Sequence, residues 1–107
     1  MIKHIDILGT KYDVYFLTEE FPQKDACGLC ERYSHEIFID DSYFSSGEDL
    51  CKLPELAKNK TIRHELIHAI LHEAGFDVYS EDETLVDALA TLYPKMKNIF
   101  VKMEVEE

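Results

Sequence analysis

Two histidines four residues apart, His64 and His68, with Glu65 between them, carry the clearest chemistry in this sequence. On an α-helix, residues i and i+4 lie on one face. His64 and His68 can therefore grip one cation, with Glu65 beside it. Zinc held by two imidazoles keeps positions for a third protein ligand and for a water whose pKa falls toward ~7. Glu65 is placed to take that water's proton and later return it. The spacing HExxH on a helix is the signature of such metal-dependent hydrolysis.

The third ligand has to come from elsewhere. The pattern HExxHxxGxxH fails, because Leu71 and Ala74 stand where Gly and His would be needed. The other source is a carboxylate from a following helix, and Glu83-Thr84-Leu85-Val86-Asp87 supplies one. Glu83 and Asp87 are again i and i+4. Glu83 can bind the metal while Asp87 accepts a hydrogen bond from a ligand imidazole and fixes its tautomer. Ser80-Glu81-Asp82-Glu83 also reads as a capping box, in which Glu83 reaches back to the Ser80 backbone N–H; Glu81 is then the fallback ligand. His72 continues the row from His68 but lies ~12 Å from His64 along the helix. That is too far to share the ion, so His72 is expected at the surface or the cleft edge, with oxyanion donor as its other reading.

HExxH followed by a short linker and ExxxD resembles the thermolysin-like gluzincin metallopeptidases. The chain is similar in size to their minimal-core group, the minigluzincins and small phage-type metallopeptidases. The similarity runs from Thr61 to about Pro94; the first half matches only in its strand character. The resemblance implies zinc bound by His64, His68 and Glu83, Glu65 as general base, and Asp87 orienting His64. Larger members carry Asn before the ligand Glu, where this chain has Asp82, and a second domain whose His or Tyr stabilises the oxyanion. Nothing in these 107 residues corresponds to that domain. Candidates for its role are Tyr79, which lies on the linker, then His72, Tyr43 and His35.

The expected function is zinc-dependent cleavage of a peptide or protein substrate. One variant is latency, with the loop Asp41–Gly47 or the C-terminal segment filling the metal's open position. The alternatives are a zinc-binding regulatory or protein-interaction module that does not cleave its partner, and a metal-free helical interaction module.

These residues need helices behind them. From Leu53 to Ala74, apolar residues recur at helical spacing, Pro54 suits a first turn and Gly75 a stop. Asn59 and Thr61 are weak helix formers, so residues 52–74 read as one helix or two, the active one starting near Lys58 to Thr61. Leu85, Val86, Leu89 and Leu92 form the apolar stripe of a second helix. Pro94 is expected to break it, leaving Lys95 to Met103 as a terminal helix that packs Met96, Ile99, Phe100 and Met103 onto the domain. Residues 1–45 read as strands: a hairpin from Ile2–Leu8 and Tyr12–Leu17 around Gly9-Thr10, and a second from Leu29–Tyr33 and Glu36–Asp40 around Ser34-His35. The last of these reads as an edge strand, able to pair with an extended substrate. The fold class is thus α+β: one domain over 1–107, a small antiparallel or mixed sheet, then the HExxH helix, the Glu helix and a C-terminal helix across 81–103.

Composition narrows the partners. With 22 acidic against 11 basic residues the formal charge is −11, which argues against nucleic acid or an anionic membrane. No stretch approaches transmembrane length, and Met1-Ile2-Lys3-His4-Ile5-Asp6 is not a signal peptide. A cytoplasmic location with reduced cysteines is expected. Cys27-Gly28-Leu29-Cys30 is a lone CxxC, read as a structural turn rather than a metal or redox pair. Glu104 to Glu107 reads as a solvated tail.

Overall fold

The computed structural model describes residues 2–19, 21–22, 26–42 and 54–105. Strand β1 (Ile2–Ile7) pairs antiparallel with β2 (Thr10–Leu17). Leu8 and Gly9 between them have φ of 51° and 94°, the doubly positive turn whose twist suits a two-residue hairpin. Strands β3 (Gly28–Glu31) and β4 (Glu36–Asp40) form the second antiparallel hairpin, with His35 at φ 59° in its turn. β4 also pairs parallel with β2, giving a four-stranded mixed sheet in the order β1-β2-β4-β3. The expected α+β class is observed.

β4 is therefore not an edge. Ile37 and Ile39 are fully buried, and the strand's backbone is paired on both sides, by β2 and by β3. Alternation along a strand reveals which face is apolar, not which strands lie beside it. The edge on this side is β3.

Tyr12, Val14 and Phe16 alternate inward along β2 and meet Ile7, Ile37 and Ile39. Complete burial of side chains of this size contributes about 1.5–3 kcal/mol each. This face is covered by helix α1 (Pro54–Glu73), which brings Ala69 into the core and packs Ala57, Ile62 and Leu66 against it. Asn59 and Thr61 do not divide α1: tertiary packing overrides their weak propensity. Leu56 and Ile70, read as part of the buried stripe, are exposed at 63% and 42%, and Leu53 lies outside the described residues. The helix ends as Gly75 (φ 87°) and Phe76 donate back to the carbonyls of His72 and Leu71, at 3.1 and 2.8 Å, the double closure that a left-handed glycine allows. Beside that end, Thr10 Oγ1 and the Tyr12 hydroxyl donate to the Glu73 carboxylate at 2.6 and 2.8 Å, tying β2 to α1.

A four-residue helix α2 (Asp77–Ser80) replaces the expected linker, and α3 (Glu83–Lys102) follows. α3 is one helix, running through Pro94 without a break. Proline lacks the N–H that would bond to the carbonyl four residues back, here that of Ala90. That carbonyl instead accepts a hydrogen bond from Arg63 Nε on α1 at 2.9 Å. The expected packing of the last helical stretch is also overturned: Met96, Ile99, Phe100 and Met103 are exposed at 41–68%, because α3 buries only Val86 and Ala90 and then projects from the body. No helix among the described residues is long and apolar enough to cross a membrane.

Candidate metal centre

His64 and His68 face the same side of α1, one turn apart, and their Nε2 atoms lie 3.2 Å from each other. Glu83, at the first turn of α3, reaches both, with Oε2 at 3.1 Å from His64 Nε2 and Oε1 at 2.7 Å from His68 Nε2. One ligand atom from each of the three falls within 4.8 Å of the others, a group that could hold a metal ion.

The opposite ring nitrogens explain the orientation. His68 Nδ1 donates to the Ser80 backbone carbonyl at 2.5 Å. His64 Nδ1 lies 3.4 Å from Asp87 Oδ1, and Lys60 Nζ stands at the same distance from that carboxylate. These contacts turn both Nε2 atoms toward one another and toward Glu83. Burial lowers the pKa of His68 and favours its neutral form. Nε2 atoms 3.2 Å apart beside a carboxylate need either a proton between them or a metal cation among them. The spacing suits the metal: ligand atoms held at ~2.0–2.1 Å in a tetrahedron stand ~3.3 Å apart.

Glu83 is free to serve because it does not cap. The N-cap of α3 is Asp82, whose carboxylate accepts the Leu85 N–H at 3.0 Å. That corrects the capping-box reading of Ser80 and Glu83. Ser80 instead sits wholly buried at the end of α2, where its hydroxyl donates to the His68 carbonyl at 2.7 Å and accepts from Arg32 at 3.2 Å. Glu81 points to Arg32, 3.6 Å away, and is not within the cation-binding group.

Glu65 is 7% exposed. Burial pushes its carboxyl up to about 7, Glu83 adds to the rise and His64 opposes it. It lies under the edge strand: a β-carbon on Gly28 would stand 2.8 Å from Glu65 Oε2 and 2.9 Å from Thr61 Cγ2. Cys30, on the same strand, has its thiol pushed up to about 12 by burial and by Glu65. Such a thiol is a poor nucleophile and a poor metal ligand. Cys27 and Cys30 both pack against the core, and neither joins a cation-binding group among the described residues.

The site opens into a cleft of about 770 Å³, walled by β3 on one side and the α1–α3 pair on the other, with Arg32 among its lining side chains. Arg32, Ser80 and Gly28 were not legible as site residues: Gly28 read as part of a turn, Ser80 as a cap, and Arg32 as one cation in an acidic chain. The expected oxyanion donors stand elsewhere. Tyr79 is half exposed and packs edge-on against Phe76. His72 Nδ1 donates to Asp77 Oδ1 at 2.6 Å, and its ring meets the Tyr33 ring. His35 packs on Tyr12, and none of these three lines the cleft. Tyr43 and most of the loop Asp41–Gly47 lie outside the described residues. Comparison of the chain with protein-family models, with curated proteins and with solved structures finds no match.

Proposed function

We propose that this chain is a zinc-dependent peptidase. The observation that carries the reading is the convergence of the His64 and His68 Nε2 atoms and the Glu83 carboxylate, backed by Ser80 and Asp87 on the far sides of the rings. Two imidazoles and one carboxylate are a donor set that suits zinc with a position left open. Zinc held there supplies Lewis acidity to a peptide carbonyl and makes water acidic enough to attack near neutral pH.

The chain's own residues do the rest. Glu65 accepts the proton of the attacking water and passes it to the departing amine, and the burial that raises its pKa suits a base that must also release the proton. The edge strand β3 offers backbone N–H and C=O groups along the cleft to an extended peptide. Arg32, at the end of that strand, holds Ser80 and through it the ring of His68.

The test is to purify the chain without added metal, measure bound zinc, and follow cleavage of an unstructured protein substrate. The peptidase reading expects about one zinc per chain and cleavage that Glu65→Gln abolishes while zinc stays bound. Zinc retention with no cleavage by the wild type, and identical partner binding by Glu65→Gln, would turn the reading to a non-catalytic zinc module.

A further inference from the structure

We propose that Arg63 is a positioning residue for the metal centre: its bond to the carbonyl that Pro94 leaves without a helical donor fixes α3 against α1, and thereby fixes the Glu83 carboxylate. The inference rests on the reading of His64, His68 and Glu83 as metal ligands.

The argument begins at Pro94. Inside α3 it cannot donate to Ala90, whose residue is fully buried and thus poorly served by water. Arg63 Nε fills the gap at 2.9 Å. Arg63 is the residue immediately before His64 on α1, and Ala90 is seven residues after Glu83 on α3. Seven residues are two helical turns, so Ala90 and Glu83 lie on one face, ~10 Å apart along the axis. The tie and the metal group therefore join the same two helices, with Arg63 one residue before His64 and Ala90 two turns beyond Glu83.

α3 has few other holds. Val86 and Ala90 are its buried residues, and from Thr91 onward every described residue is exposed. The remaining polar bridge from α1 outside the metal group, Lys60 to Asp87 at 3.4 Å, has side chains 41% and 54% exposed; such pairs contribute little. Arg63 is thus the last attachment before the helix leaves the body. Without it, α3 is held to the body by the packing of Val86 and Ala90 and of half-buried Leu85 and Leu89, and any tilt of the helix there carries Glu83 with it. The guanidinium suits this role because its planar donors are held in one geometry.

The pairing of a proline-vacated carbonyl with a distant arginine gives a double test in the full-length chain, with cobalt(II) as the probe of the ligand set. Arg63→Met should weaken cobalt affinity about tenfold, the lower end for residues that orient metal ligands. Its cobalt absorption should shift toward that of Glu83→Gln, and Arg63→Lys should recover part of the affinity. Pro94→Ala gives the Ala90 carbonyl a helical N–H but no tie to α1, so Pro94→Ala combined with Arg63→Met should still bind cobalt about tenfold more weakly than wild type, whereas a role confined to satisfying that carbonyl would restore the affinity. This double variant also keeps the test open if Arg63→Met alone does not fold. If wild type binds cobalt and Arg63→Met keeps its affinity and spectrum, with only a lower Tm, Arg63 is merely structural and the inference is overturned. If wild type binds no cobalt, the metal-centre reading falls and this inference falls with it.

Discussion

Gly28 on the edge strand and Glu65 on α1 are packed so closely that there is no room for a methyl group between them: a β-carbon at Gly28 would meet Glu65 Oε2 at 2.8 Å and Cγ at 2.9 Å. The glycine is required by this approach. Thr61 Cγ2 stands 2.9 Å from the same position, so an added methyl group has to displace the strand or the Glu65 side chain.

Gly28→Ala is expected to lower kcat with little change in bound zinc, since Glu65 moves and the ligands do not. Displacement of a catalytic group by ~1 Å reduces rates by up to ~100-fold. Steady-state kinetics with metal analysis on the same samples checks this. Unchanged kcat would mean that β3 yields rather than Glu65, and that the strand is looser than its packing implies.

Glu83→Gln should remove one charge from the metal group and weaken zinc binding by at least tenfold, the scale set by even indirect changes around metal ligands. Glu81→Gln, whose carboxylate faces Arg32 at 3.6 Å, should leave affinity within about twofold. Competition against a chromophoric chelator distinguishes the two. Equal losses would bring Glu81 back as a ligand.

Metal removal should destabilise the fold, because a cation that binds only the native state adds RT ln(1 + [L]/Kd), about 2.7 kcal/mol at 100-fold excess over Kd. For a chain near 100 residues that corresponds to roughly 10–20 °C in Tm. Melting with and without a strong chelator measures it. A Tm that does not respond would show that α1 and α3 hold their places without the ion.

The local part of this site could be read from the chain, because His64 and His68, like Glu83 and Asp87, are brought together by helical spacing alone. The hairpins were legible for the same reason: alternation and turn residues act over a few positions. What escaped was long range. Alternation in β4 marked Ile37 and Ile39 as buried but could not show that β2 and β3 flank it. Pro94 read as a helix stop because the residue that satisfies its orphaned partner, Arg63, lies 27 positions away from Ala90. Ser80 and Arg32 join the site through bonds spanning 12 and 48 residues, His68 to Ser80 and Arg32 to Ser80. Ser80 read as a cap because that is the commoner local use of a serine before a helix.

The contact between Tyr12 and Glu73 predicts how stability varies with pH, away from the metal. Hydrogen bonds from Thr10 and then Tyr12 hold the Glu73 carboxyl below its usual range, while burial and then Glu73 itself push the Tyr12 phenol up. A lowered carboxylate pKa gives stability that is fully present above the unfolded value, about 4.3, and is lost as pH falls toward the folded one. A raised phenol pKa gives stability that is fully present below the unfolded value, about 10, and is lost as pH rises past it. Tyr12→Phe removes the donor from both arrangements and should cost about 1.5 kcal/mol near neutrality, as for a hydrogen bond to a charged group. The stability gap between wild type and Tyr12→Phe should be flat from about pH 6 to 9. It should narrow below about pH 4, as Glu73 becomes protonated, and again above about pH 10, as only the wild type resists losing the phenolic proton. Denaturant melts of both proteins across that range measure the gap. A gap that stays constant into acid would mean that the Tyr12 bond does not favour the Glu73 carboxylate over its protonated form, leaving Thr10 as the group that lowers its pKa.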